Sequence, residues 1–157
     1  MAEQEAFVVD TTVATHFLEG HPAVVQCLQE LRARGCRIFF SEVTRAELLS
    51  TAGLTPERIQ EIEALMDLSD DVIAVDAEIA RKAGELRRLR QRGRAGERCP
   101  TCGKRLEGKL KLPDALIAAT ALSEDAVLIT DNERDFRGLP IQILNPLAIA
   151  NGDQADR

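Results

Sequence analysis

The sequence predicts an α/β domain with a central, mostly parallel sheet, and three observations carry that prediction. Short apolar runs with strand character recur five times, segments with helical apolar spacing separate them, and no internal repeat or linker divides the 157 residues. A chain of this length fits one domain and buries ~70% of the surface its unfolded form exposes, so it folds without help from metals or disulfides.

The expected strands are Ala6 to Val9, Ile38 to Phe40, Val72 to Val75, Val127 to Ile129 and Ile141 to Leu144. After the first, Asp10 stands where it can cap a helix beginning at Thr11. Val24, Val25, Leu28 and Leu31 then form an apolar stripe behind His21-Pro22. Val43, Ala46 and Leu49 form another, starting after Ser41, whose hydroxyl suits an N-cap. Thr55-Pro56 opens a third helix with Ile59, Ile62 and Leu65 inward, since Thr caps well and Pro is tolerated in the first turn. Ile79, Ala83 and Leu86 mark a fourth. Residues Pro113 to Ser123 are apolar almost all round, the mark of a helix buried on every side. Residues 1–150 thus read as a single domain, interrupted by an irregular basic stretch at about 93–111, with 151–157 as a flexible polar tail.

Composition narrows the function classes. The longest nearly apolar run, Ala115 to Leu122, is far too short to cross a bilayer, and Glu3 and Glu5 stand where a secretory signal would be positive. A soluble cytoplasmic protein is therefore expected, and its four cysteines are expected to be reduced. With no Tyr or Trp and five Phe, stacking of single-stranded bases on aromatic rings is disfavoured, so a nucleic acid would be held through its phosphates. The net charge of −6 conceals an asymmetry: between Arg81 and Lys111 twelve Lys and Arg face three Glu, so the rest of the chain carries −15. Such a segment is either a solvated face or a phosphate-binding surface, with Arg87, Arg88 and Arg94 as candidate contacts.

The acids decide between these. Ligands of open α/β sheets collect beyond the carboxyl ends of the strands. Asp10 ends the first expected strand, Asp131 follows the fourth with Asn132 and Asp135 close behind, Glu47 lies in the helix after the second, and Asp114 opens the buried helix. Each has an ordinary alternative as cap, turn former or solvated side chain. Together they fall where one fold can converge them. Clustered carboxylates raise one another's pKa values, whereas a hard divalent ion such as Mg²⁺ or Mn²⁺ takes oxygen ligands and makes the cluster favourable. Asp10 and Asp114 are the first candidate ligands, with Glu47 and Asp131 beside them. Such an ion activates water for displacement at phosphorus, and hydrolysis then needs no histidine base. The only histidines, His16 and His21, are assigned no chemical role.

Four pieces of the chain resemble the PIN-domain nucleases, in particular the short VapC-type toxins of toxin–antitoxin pairs. They are Phe7-Val8-Val9-Asp10-Thr11-Thr12-Val13, Ser41-Glu42-Val43-Thr44-Arg45-Ala46-Glu47-Leu48, Pro113 to Ala121 around Asp114, and Leu128-Ile129-Thr130-Asp131-Asn132-Glu133-Arg134-Asp135-Phe136. Each piece alone is weakly specific; four in order over nearly the whole chain are fairly specific. The resemblance implies a PIN-like three-layer fold with four to five short strands, Mg²⁺- or Mn²⁺-dependent endoribonuclease activity, homodimers, and a small antitoxin partner. It also implies that Asp10, Glu47 and Asp114 are the first three acids of the site. Many relatives carry the fourth, an acid or Asn, where this chain has Asn132, which leaves Asp131 and Asp135 as flanking candidates.

The departure from that pattern is Cys99-Pro100-Thr101-Cys102-Gly103, which has the spacing of a zinc knuckle, half of a four-ligand site. Three readings stand: a zinc shared by two subunits, a site completed by Cys36 or a histidine, or a vestigial knuckle. Cys27 is expected in the core. Two rival functions also stand, a catalytically weak RNA-binding or protein-interaction module and a PIN nuclease of RNA processing rather than a toxin. A phosphatase of the dehalogenase type is disfavoured because Thr12 stands where it needs a second Asp, and no P-loop is present.

Overall fold

The computed structural model describes residues 4–92, 98–99, 101–103 and 108–152. The elements run β1 (Ala6–Val9), α1 (Thr11–Leu18), α2 (Pro22–Ala33), β2 (Arg37–Ser41), α3 (Glu42–Leu49), α4 (Pro56–Asp67), β3 (Asp71–Ile73), α5 (Ala77–Arg92), α6 (Leu112–Ser123), β4 (Val127–Ile129), α7 (Glu133–Phe136), β5 (Ile143–Leu144) and α8 (Pro146–Gly152). All five strands are parallel, in the order β3-β2-β1-β4-β5. The α/β class and the parallel sheet agree with the reading of the sequence. No described helix is long and apolar enough to cross a membrane.

Alternation along β1 generates the layers. Successive strand side chains point to opposite faces, so Phe7 and Val9 join one core while Ala6 and Val8 join the other. The first core takes Val13, Val24, Leu28, Ile62, Leu65 and Met66 from α1, α2 and α4. The second takes Ile79, Ala83 and Leu86 from α5 and an alanine-rich surface from α6. Ala115, Ala118, Ala119 and Ala121 are fully buried, so α6 packs closely on its neighbours.

Local signals fix most element starts. Ser41 Oγ accepts from the Val43 amide at 3.2 Å, and Thr55 Oγ1 from the Arg58 amide at 3.2 Å, each satisfying a donor that the helix leaves open. At the end of α2, Gly35 takes φ of +77° while the Cys36 amide returns to the Leu31 carbonyl at 3.0 Å, and this turns the chain directly into β2. Asp70 Oδ2 accepts from the Ile38 amide at 2.7 Å and from Arg32 Nη1 at 2.9 Å, which joins β2 to α2.

Two strands are shorter than expected. β3 covers Asp71–Ile73, ending two residues before Val75, which is 41% exposed and outside the sheet. β5 is limited to Ile143–Leu144, because only those residues find partners on β4. Helix α8 had no expected counterpart.

The order of strands places β1 beside both β2 and β4, and the chain leaves β1 in opposite directions across the sheet. This makes the carboxyl ends of β1 and β4 the topological switch point, where open sheets bind ligands. Because Ala118 has no room around it, Ala118→Leu is expected to lower stability by about 1–3 kcal/mol in urea denaturation; an unchanged midpoint would show that α6 is loosely seated.

Candidate active site

Asp10 sits at that switch point. Its amide donates to the Ile129 carbonyl at 2.9 Å, which carries the β1–β4 ladder one residue further. Its side chain is 3% exposed. Oδ1 accepts from the Thr11 amide at 2.8 Å, so the capping role expected of Asp10 is real and coexists with its place in the pocket. Oδ2 accepts from Thr130 Oγ1 at 2.8 Å and lies 3.3 Å from Thr12 Oγ1. Burial raises the Asp10 pKa, the three hydrogen bonds oppose that rise, and the charge of Glu47 adds to it; the net shift is upward.

Glu47, half-buried on α3, is held by Thr11 Oγ1, which donates to Oε2 and lies 3.4 Å from Thr44 Oγ1. Asp114 occupies the first turn of α6, partly buried. Its carboxyl is pushed up to about 6, first by burial and then by the charges of Asp10, Asp135 and Glu47, with Lys111 opposing. The charges of three acids distant in sequence therefore reach Asp114, and that of Glu47 also reaches Asp10.

The two candidates after β4 part company. Asp131 turns towards α1: Oδ1 accepts from Thr12 Oγ1 at 2.6 Å, and Oδ2 lies 2.9 Å from His16 Nε2. Burial alone would raise its pKa, but the bonds from Thr12 and His16 and the charge on His16 outweigh it and hold the carboxyl below the usual range. Asp135 turns towards α6. Its Oδ2 accepts from Asn132 Nδ2 at 2.6 Å, and the Asn132 amide donates to Thr130 Oγ1 at 3.0 Å. Thr130 thus orients both Asp10 and the turn carrying Asp135.

Cations border this pocket. A small cavity of about 30 Å³ is lined by Arg90, Lys109, Leu110, Lys111, Asp114 and Asp135. Arg90 is 5% exposed and donates to the carbonyls of Arg134, at 3.2 Å, and Arg137, which ties α7 and its Asp135 to α5. A larger, mostly apolar cavity of about 320 Å³, bordered by Phe17, Leu28, Phe40, Leu65 and Leu68 with Arg32 and Ser69 at its edge, includes none of the acids.

Of the expected phosphate contacts, Arg88 is exposed on α5. Arg87 is half-buried and donates through Nε to the Leu110 carbonyl at 3.1 Å, which gives it a structural task. Arg94 lies outside the described residues. Cys99 is buried and Cys102 exposed, while Cys27 packs against the first core as expected. His16 is corrected from a residue without a role to the partner of Asp131. Arg90, Lys109 and Lys111 were not singled out from the sequence. For Arg90 a signal existed: it continues the buried stripe Ile79, Ala83, Leu86 at helical spacing, and a charge on a buried face requires partners.

The chemistry of the donors suits a hard dication. All four coupled acids offer oxygen, none offers sulfur or nitrogen, and a raised Asp114 marks a place where positive charge would be stabilising. Among the described residues no three His, Cys, Asp or Glu side chains stand close enough to enclose an ion by themselves. Mg²⁺ does not require such a cage, because it keeps several waters and is bound by one or two carboxylates together with substrate oxygens.

The sequence profile of the PIN domain family matches residues 7–141. A curated protein named Ribonuclease VapC19, from Mycobacterium tuberculosis, is 34% identical over 133 residues, spanning 85% of this chain and 94% of its own. Among solved structures, a toxin–antitoxin complex from Klebsiella pneumoniae is 28% identical with a TM-score of 0.63, covering 88% of this chain and 96% of the other. The VapBC-1 structure from nontypeable Haemophilus influenzae is 25% identical with a TM-score of 0.68, covering 90% and 98%.

The raised Asp114 has a consequence for stability. Its folded pKa, about 6, exceeds the ordinary 3.8, so the folded state holds more protons between those values and stability falls as pH rises through that window. In metal-free protein at pH 7.5, Asp114→Asn is expected to melt at or above the parent temperature, with the difference shrinking towards pH 5. Added Mg²⁺ is expected to raise the melting temperature of the parent alone. A marked loss of stability in the metal-free variant would instead assign Asp114 to helix capping.

Proposed function

This chain belongs to the PIN domain family, and on that footing we propose that it is a Mg²⁺- or Mn²⁺-dependent endoribonuclease of the VapC type, the toxin of a toxin–antitoxin pair. The observation that carries the reading is the convergence on Asp114, beside the switch point of the sheet, of the charges of Asp10, Asp135 and Glu47. The likeness to a named ribonuclease supports the reaction class, and solved relatives that are toxin–antitoxin complexes support a small antitoxin as partner.

In this reading Asp10 and Asp114 hold the metal, with Glu47 and Asp135 completing the pocket. When bound, the ion lowers the pKa of a coordinated water and stabilises charge on the phosphodiester. The remaining work belongs to the chain. Thr130 and the Thr11 amide fix the Asp10 carboxylate, so its orientation is set before substrate arrives. Thr11 does the same for Glu47 through its hydroxyl. Asn132 fixes Asp135, and Arg90 secures the short helix beneath it. Lys109 and Lys111, beside Asp114 and Asp135, attract the phosphates on either side of the scissile bond. Asp131, engaged with Thr12 and His16, braces α1 against the loop after β4 and stands outside the metal set. The enzyme acts in the cytoplasm as a homodimer.

Cleavage of a fluorogenic RNA is expected to cease with chelator and to fall at least ~100-fold in Asp10→Asn, Asp114→Asn and Asp135→Asn, against under ~10-fold in Asp131→Asn. Undiminished cleavage in the first two variants would refute the reading, and an Asp131→Asn loss equal to that of Asp135→Asn would reverse their assignment.

A further inference from the structure

The nuclease reading makes no use of Cys99 and Cys102, which stand between α5 and α6. The described residues Cys99 and Thr101 to Gly103 make a tight return. The Gly103 amide donates to the Cys99 carbonyl at 2.8 Å, and Gly103 takes φ of +68°, a left-handed conformation that glycine adopts without steric cost. The tight return sets the amides and side chains of both Thr101 and Cys102 against the Cys99 sulfur. Those amide bonds, Cys102 first, pull the Cys99 thiol down to about 7, near where the metal-binding thiolate forms. Cys102 is exposed, which leaves the pair open on one side.

Two thiolates are half of what structural zinc requires. Among the described residues no further thiol or imidazole is placed to supply the other half. The sequence holds only two further cysteines and two histidines. Cys36 is buried at the amino end of β2 with its Sγ 3.8 Å from Glu5, across the sheet from the carboxyl ends near which the knuckle lies. Cys27 packs against the first core from α2. His16 is bonded to Asp131, and His21 packs edge-on against His16 at 5.5 Å between ring centroids. The helices that frame the pair in the chain meanwhile expose large apolar side chains, Leu89 on α5 at 51% and Leu112 on α6 at 52%. Exposed apolar side chains on the two flanking helices suit a protein surface as the missing partner.

We propose that Cys99 and Cys102 form half of a tetrathiolate Zn²⁺ site, completed by the same two residues of a second copy of this chain. A two-fold axis through the ion satisfies the tetrahedral geometry with identical contributions from each side. The site borders the acidic pocket: the charge of Cys99 acts on Arg90, and Arg90 acts in turn with Asp135. A zinc bridge would therefore hold two pockets at a fixed separation along one RNA.

The test measures metal content of the full chain, purified without added chelator, with no reference to cleavage, so its result stands apart from that of the nuclease assay. The expected content is about one zinc per two chains, with absorption of four thiolates when Co²⁺ is loaded into the parent protein. Cys99→Ser and Cys102→Ser are expected to lose the metal, while the doubly substituted Cys27→Ser, Cys36→Ser protein keeps it. Less than about one zinc per ten chains, one zinc per chain with only two thiolates in the Co²⁺ spectrum, or a Cys99–Cys102 disulfide in the freshly purified protein would each overturn the proposal. The Co²⁺ measurement needs no variant, so a misfolded serine substitution leaves the proposal open to refutation.

Discussion

Everything in this structure is arranged around a buried carboxylate that burial itself disfavours. Asp10 lies at the end of β1 with almost no contact with solvent, and the sheet order requires it there, because β1 is the strand flanked by both β2 and β4. Three donors from Thr11, Thr12 and Thr130 make the position tolerable, yet the pKa still rises. A carboxylate kept at that cost, with Glu47, Asp114 and Asp135 around it, is poorly explained by stability alone. Perturbed acids gathered in a cleft are what a functional site produces.

The second core explains why the acids can meet. α6 carries alanines where it faces the sheet and α5, so it lies close, and its first turn brings Asp114 over the end of β1. α7 is a single turn and could not hold Asp135 unaided. Arg90 supplies the missing rigidity by donating to carbonyls at the end of that turn, and the Asn132 and Thr130 side chains link the turn back to Asp10. Removing one member of such a network disturbs several others, which is why these polar contacts matter more than their number suggests.

Much of the fold was legible because its signals are local. Alternation in β1, the caps at Ser41 and Thr55, and the apolar surface of α6 each follow from a few neighbouring residues. β3 and β5 were overextended because a short edge strand stops where its partner stops, and the partner is not visible in its own sequence. Within the site, the grouping of Asp10, Glu47 and Asp114 followed from their positions after strands and on helices. The choice between Asp131 and Asp135 did not, because both follow β4 by a few residues, and the difference lies in Thr12 and His16 from α1, more than a hundred residues away. Arg87 was singled out for its charge and location, and what those could not show is that its Nε also serves the Leu110 carbonyl.

The account stands on four acids sharing one pocket, and the titration of Asp114 reports that sharing most directly. Followed by carbon NMR of its carboxyl in metal-free protein, Asp114 is expected to titrate near 6, and to fall when Asp10 is replaced by Asn while burial keeps it above the ordinary value. A midpoint near the ordinary value of about 4 in the parent protein would mean that the acids do not act on one another, and would contradict the account.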